Sequence, residues 1–306
     1  MDNGNPGAAT RWQRIATRLN AYERLLRLDK PIGTLLLLWP TLTALWLASG
    51  GRPRWQWVIV ATVGTLLMRS AGCALNDWAD RDFDGQVKRT ASRPLATREI
   101  EPREALWLAT ILALFAFALV VLGTNRVAIL WSVPALAIAV AYPFFKRFFA
   151  IPQAFLGIAF SFGIPLAYAM ALQREPPIAW TLLVVNLFWV VAYDTEYAMV
   201  DRDDDQRIGI RTSALTFGRY DVAAVATCYA IHIAGMAAIG VASRLGPIYY
   251  GGLVVAAALA AWHIVLIRGR DRDRCFRAFL NNHWLGFAVF AGVAGHYAYN
   301  LAWPRV

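Results

Sequence analysis

Residues 76–84 read Asn-Asp-Trp-Ala-Asp-Arg-Asp-Phe-Asp, and five of the nine carry an acid or an amide. On a helix, Asn76, Asp80 and Asp84 fall at i, i+4 and i+8 and share one face, with Asp77 at its edge. Like charges so spaced repel one another, and a water-facing helix gains nothing from them. A divalent cation reverses the sign of the problem: Mg2+ takes oxygen ligands and is usually held by one or two carboxylates together with substrate phosphates. The plain alternative is a solvated acidic loop. A second copy argues against it. Residues 201–205, Asp-Arg-Asp-Asp-Asp, repeat residues 80–84 at four of five positions. Each copy follows an apolar run, 58–75 or 180–191, and each precedes an Arg-Thr pair, Arg89-Thr90 or Arg211-Thr212. Clustered acids at the ends of membrane helices mark substrate or ion sites.

Bases follow the first acids closely, at Lys88, Arg89 and Arg93. Acids that hold metal beside Lys and Arg suit a diphosphate, whose oxygens the metal bridges and the bases neutralise. The same cations stabilise a departing diphosphate. A flank of positive charge with no ligand explains the bases but not the acids. Arg69 lies seven residues before Asn76, on the same helix face, inside an apolar span. A buried Arg in a span is costly and normally paired, either with one of these aspartates or with an anionic substrate group. Tyr142, Lys146 and Arg147 end another apolar run at the same level, although Lys146 and Arg147 alone are topology signals. Asp194 and Tyr197 lie seven and four residues before Asp201 and share its face. The four histidines, 232, 263, 283 and 296, show no common motif and read as packing or interfacial residues. Residues 268–277 read as a solvated loop.

The elements that must position these groups are membrane helices. The chain of 306 residues is 58% hydrophobic and 16% charged, whereas soluble domains are about a quarter charged. A span needs about 20 mostly apolar residues. Nine segments qualify: 32–49, 56–76, 104–122, 127–145, 152–172, 178–198, 217–241, 247–267 and 281–302. Of the 30 Lys and Arg residues, 23 flank one side of these spans, counting Arg219 at the start of the seventh, and six the other, with Arg69 inside. Positive loops stay cytoplasmic. This puts the N-terminus and both acidic motifs in the cytoplasm and the C-terminus outside. The expected architecture is an all-α polytopic bundle: residues 1–31 form a tail and a basic amphipathic segment on the cytoplasmic surface, and 32–306 a single transmembrane domain. Three scattered cysteines imply no disulfide framework.

These residues resemble the UbiA superfamily of membrane prenyltransferases. Asn76-Asp-x-x-Asp80-x-x-x-Asp84, followed by Lys88-Arg89-Thr90 and Arg93-Pro94-Leu95, is similar to its first signature. Residues 193–205 are similar to its second, in the form found in the 4-hydroxybenzoate branch. Asp29-Lys30-Pro31, Met68-Arg69-Ser70 and Tyr142-Pro143 point to the same branch. The resemblance implies nine helices around a central cavity, Mg2+ as cofactor, and a polyprenyl diphosphate donor. It implies metal-site roles for Asn76, Asp80, Asp84, Asp201 and Asp205. Lys88, Arg89 and Arg93 match the basic run near the diphosphate, and Arg147 the position proposed for the aromatic acid's carboxylate. Asp194 is a candidate for orienting the phenol or taking a proton. Arg98 stands where these enzymes often have Gly, and Phe149 where they often have Thr. The expected activity is transfer of a polyprenyl group to the ring of 4-hydroxybenzoate, as in ubiquinone biosynthesis. The expected setting is the bacterial inner membrane, with the lipid bilayer and no nucleic acid as partner. The alternatives are another acceptor (a naphthoate, a homogentisate or a haem) or a cation transporter with acidic gates. A transporter needs its acids near the membrane midplane, in broken helices.

Overall fold

The computed structural model describes residues 11–82, 84–145 and 149–302. Twelve α-helices account for most of them, and no strand occurs among the described residues. In chain order they are α1 (Arg11–Leu25), α2 (Ile32–Ala48), α3 (Trp55–Asp80), α4 (Pro102–Gly123), α5 (Arg126–Phe145), α6 (Pro152–Ser161), α7 (Gly163–Leu172), α8 (Pro177–Ile208), α9 (Ser213–Phe217), α10 (Asp221–Ala242), α11 (Pro247–Ile267) and α12 (Arg272–Ala302). Proline opens α4, α6, α8 and α11, where its missing N–H would be unsatisfied in any case. Glu101 and Glu104 form a reciprocal cap on α4.

All nine expected spans fall on helices, but not all of these are long and apolar enough to cross a bilayer. Among the described residues seven are: α3, α4, α5, α6 with α7, α8, α9 with α10, and α11. The apolar α2 has only 17 residues, and the apolar half of α12 is interrupted by Asn282, His283, His296 and Asn300. The outer faces of α4, α5 and α11 present Leu114, Phe115, Leu122, Leu130 and Val254 to the surroundings, as a multi-pass membrane protein does. The expected fifth span is two helices of 10 residues each. Pro165 is the cause. It lacks an N–H, and its ring clashes with the carbonyl four residues earlier, at Ser161, where α6 ends. Gly163 sits beside the break, and a Cβ there would lie 2.3 Å from Thr41 Oγ1 of α2.

The core gathers α2, α7, α8, α10, α11 and α12 around the fully buried Trp189 and Tyr193. A smaller cluster packs Ala21 and Leu25 of α1 against Ala71 and Ala74 of α3, Leu95 and Ile100 of the following loop, and Ala105 of α4. The basic helix α1 is therefore docked on the protein over the first acidic motif, with Arg18 and Tyr22 both on Glu104 and Arg24 on Glu99. Arg98, in the same loop, has φ +62°. A left-handed non-glycine residue costs roughly 1–2 kcal/mol, and β-branching aggravates it. Arg98→Val is expected to lower the thermal midpoint and Arg98→Gly to hold or raise it, as read by scanning calorimetry in detergent.

Candidate active site

The first motif does not run on as one helix. α3 ends at Asp80, and Asp84 opens a 3-10 turn, Asp84–Gln86. Carboxylates are disfavoured at the negative end of the helix dipole, and four acids lie between 77 and 84. The expectation of a continuous face from Asn76 through Asp84 is thus corrected at its last member. The turn nevertheless brings Asp84 back inward, to 5% exposure, while the Asp82 side chain is 72% exposed. The Thr90 hydroxyl donates to the Asp84 carbonyl at 2.8 Å and fixes the turn.

Arginines hold the buried acids. Arg93 Nη1 donates to both oxygens of Asp84, at 3.0 and 2.9 Å, and lies 3.0 Å from Asp77 Oδ1. Asp77, 1% exposed, also accepts from Arg27 Nη2 at 3.0 and 2.9 Å. Arg27, in left-handed conformation just beyond α1, thereby reaches the end of α3. Burial pushes the Asp84 carboxyl above its ordinary range; Arg93 opposes this, but Asp77 and Asp80 add to it. Burial pulls the Arg93 guanidinium down, and the facing Asp77 and Asp84 more than offset that.

The second motif stays on α8, which runs to Ile208. There Gly209 at φ +74° caps it by donating to the Asp205 carbonyl. Asp201 and Asp205 are buried and Asp203 is exposed, as helical spacing requires. Arg89 joins the two motifs. From the first loop, its Nε lies 3.1 and 2.9 Å and its Nη2 2.5 Å from the Asp201 carboxylate. Its guanidinium stacks 4.3 Å over the Tyr197 ring and donates to the Tyr197 hydroxyl.

Above these pairs lies a cavity of about 770 Å³. Arg27, Asn76, Asp77, Arg89 and Arg93 line its charged end; Val60, Phe117, Val120, Phe162 and Met170 line its apolar part. The α3 lining runs from Val60 to Asp77, which spans about 25 Å at 1.5 Å per residue. Arg69, Tyr142, Tyr193 and Asp194 line it between. Arg69 makes no ion pair among the described residues; its Nη1 donates to Cys73 Sγ, and its buried Nε finds no acceptor. The internal salt bridge open to it from sequence is not formed.

A family model for the UbiA prenyltransferase family matches residues 37–301. The chain belongs to the UbiA prenyltransferase family. Among its relatives, a 4-hydroxybenzoate octaprenyltransferase of Cupriavidus necator is 61% identical over 92% of this chain and 98% of its own. One from Azoarcus sp. is 58% identical over the same shares. The apo structure of a UbiA homolog from Aeropyrum pernix K1 superposes with TM-score 0.75 at 26% identity, covering 85% of this chain and 96% of that one. A UbiA homolog from Archaeoglobus fulgidus bound to GPP and Mg2+ shares the fold, with TM-score 0.64 at 19% identity over 88% and 99%.

Against the UbiA pattern, the structure brings Asp84, Arg89, Arg93 and Asp201 together. Arg69, Tyr142 and Asp194 lie along the cavity wall, while Lys88 is exposed and off the lining. Lys146 and Arg147 lie outside the described residues. Among the described residues no three acids, histidines or cysteines converge on a metal-sized point. Asp84 and Asp201 close on arginines instead. The donor chemistry still fits Mg2+. The ligands are hard oxygens, and Mg2+ takes only one or two carboxylates before substrate phosphates complete its shell. Two buried carboxylates, Asp77 and Asp84, crowd onto the one Arg93 guanidinium. Sequence reasoning missed two contributors to the site, Arg27 and Asp77, and one buried acid outside it, Asp204. Arg27 carried no signal beyond its charge. Asp77, read as an edge residue, is the most buried acid of its motif. Asp204 faces away from the cavity toward Arg272, at 3.2 Å. The segment 268–277 is not the solvated loop expected, because α12 begins at Arg272, and Arg270 bridges to the buried Asp221 at 2.7 Å.

Proposed function

We propose that this protein transfers a polyprenyl group from polyprenyl diphosphate to the ring of 4-hydroxybenzoate, next to the hydroxyl. One observation carries the reading: Arg89 and Arg93, which line the charged end of a long, largely apolar cavity, bind Asp201 of the second acidic motif and Asp84 of the first. The charged end suits a diphosphate and the apolar length suits its isoprenoid tail. Identities of 58–61% to 4-hydroxybenzoate octaprenyltransferases over nearly full length support this acceptor and an octaprenyl donor.

Asn76, Asp80, Asp84, Asp201 and Asp205 would hold Mg2+, which when bound neutralises diphosphate oxygens and so weakens the allylic C–O bond. Arg89 and Arg93 take diphosphate charge in place of their carboxylates as the donor enters, and Lys88, exposed on the same loop, adds positive charge nearby. The bond from prenyl C1 to the diphosphate oxygen breaks, leaving positive charge on the allylic carbons. The ring carbon beside the hydroxyl forms the new C–C bond to C1, and loss of its proton restores aromaticity. Asp194, which lines the cavity with Tyr142 and Arg69, is the candidate to orient the phenol or accept that proton; Asp194→Asn leaving turnover intact would remove it from the chemistry. The acids lie at helix ends beside arginines rather than in a broken helix at midspan, which favours an anionic donor over a transported cation. The test is a panel of acceptors at fixed donor: 4-hydroxybenzoate is expected to be used far faster than a naphthoate or homogentisate, and a reversed order overturns the reading.

Arg147 is assigned the acceptor's carboxylate. Losing a charged hydrogen-bond partner costs about 1.5–3 kcal/mol. Arg147→Ala is therefore expected to raise KM for 4-hydroxybenzoate ~10-fold or more and leave the donor KM unchanged. A shift in donor KM alone would move Arg147 to the diphosphate and leave Arg69 as the carboxylate's partner. The setting proposed is the bacterial inner membrane, with the site facing the cytoplasm. Reporter tags at the N-terminus and within residues 85–101 are expected inside and a C-terminal tag in the periplasm; a cytoplasmic C-terminal tag contradicts the nine-span count.

A further inference from the structure

Glu196 lies on α8 between Asp194 and Tyr197, yet it faces away from the cavity and is fully buried. Three other helices close on it. Tyr229 of α10 has its hydroxyl 2.9 Å from Glu196 Oε1, 2.9 Å from Asn282 Oδ1 and 3.2 Å from His263 Nδ1 of α11. Asn282 of α12 donates through Nδ2 to Glu196 Oε2 at 2.8 Å. Trp189, two turns earlier on α8, donates through Nε1 to Asn282 Oδ1 at 2.9 Å. Cys275 of α12 is the other titratable group within electrostatic reach of the carboxyl. No Lys or Arg pairs with Glu196 among the described residues.

Counting hydrogens decides the charge. The indole of Trp189 can only donate, so it fixes Asn282 with Oδ1 toward Tyr229 and Nδ2 toward Glu196. Tyr229 has one hydroxyl hydrogen for the two oxygens beside it. If Glu196 is ionised, that hydrogen goes to Oε1, and the Tyr229 oxygen is left against Asn282 Oδ1 with no hydrogen between them. If Glu196 is protonated, its O–H donates to the Tyr229 oxygen, Tyr229 donates to Asn282 Oδ1, and Asn282 donates back to Oε2. Every member of the ring is then satisfied, and His263 adds its Nδ1–H to the second lone pair of Tyr229. Moving the proton from Glu196 to His263 does not help. It would place an N–H on His263 Nε2, which is buried without a hydrogen-bond partner.

We infer that Glu196 is a neutral carboxylic acid that closes a hydrogen-bond ring with Tyr229 and Asn282, flanked by Trp189 and by His263 so that four helices meet at it, and that this ring is the positioning device for the catalytic face of α8. The ring grips α8 from behind at the turn that presents Asp194 and Tyr197 to the cavity, one turn before Asp201 with its partner Arg89. A half-satisfied buried network costs more than an apolar one, so the device works only with the proton in place. The inference holds whichever aromatic acceptor the cavity takes.

Infrared difference spectroscopy of purified protein, wild type minus Glu196→Gln at neutral pH, tests it. The expected result is the carbonyl band of an undissociated carboxylic acid, shifted in Tyr229→Phe. Gln reproduces the neutral acid, donating to Tyr229 and accepting from Asn282, so Glu196→Gln is expected to keep wild-type thermal midpoint, kcat and both KM values. Glu196→Ala is expected to lower kcat by about 10-fold to 100-fold through misplacement of α8 side chains, with smaller changes in KM. A carboxylate band pair in place of the acid carbonyl, or a Glu196→Gln protein as impaired as Glu196→Ala, overturns the inference.

Discussion

Asp80→Asn, Asp84→Asn, Asp201→Asn and Asp205→Asn are each expected to lower turnover at least ~100-fold, as removal of one preorganised electrostatic group does elsewhere. Asp82→Asn and Asp203→Asn are expected to keep most of it. Within each motif the residues compared are chemically identical and two positions apart, so a diffuse, salt-screened patch would make them equivalent. Their placement differs instead: Asp84, Asp201 and Asp205 are buried, while Asp82 and Asp203 face solvent. Initial rates at matched expression decide the matter. Raised Mg2+ is expected to rescue the first set in part and to leave the second unchanged. Equal losses at Asp80 and Asp82 would contradict the site drawn here.

The second large effect is on stability. Arg93, 13% exposed at its side chain, is shared by Asp77 and Asp84, which are 1% and 7% exposed at theirs. Removing the cation leaves buried carboxylates without adequate compensation, and breaking one partner from a buried pair costs about 3–5 kcal/mol. Arg93→Ala is expected to lose a stability of that order in thermal or denaturant unfolding. Combining it with Asp84→Asn should recover part of the loss, because the uncompensated charge goes with it. Arg93→Lys is expected to fall between, since an ammonium is a point charge that cannot reproduce the guanidinium fork. An Arg93→Ala protein as stable as wild type would mean that the acids are hydrated and not held by the arginine.

Much of the fold was legible because apolar length and basic flanks follow from the membrane itself. The nine ranges read from sequence each meet a helix. The break between α6 and α7 was written in Pro165, but a proline in a span does not say whether the helix bends or stops. The inward side of each motif was also legible, because a two-residue offset reverses direction on a helix and Asp203 follows that rule on α8. The end of α3 at Asp80 was not, since it depends on where the helix dipole and the Thr90 hydrogen bond together favour a turn. Arg27 on Asp77 and Glu196 with Tyr229 and Asn282 join residues 50, 33 and 86 positions apart. No local spacing announces such pairs; they arise only when helices pack.

The reaction itself is the most direct test of the site. Purified protein is incubated with 4-hydroxybenzoate, Mg2+ and prenyl diphosphates of several lengths, and products and released diphosphate are measured by mass spectrometry and phosphate assay. The expected product has the mass of 4-hydroxybenzoate plus the prenyl group less one hydrogen, with one diphosphate released per product, and both vanish with chelator. No prenylated acid in the presence of Mg2+, or product formed equally with chelator present, would contradict the assignment of this site.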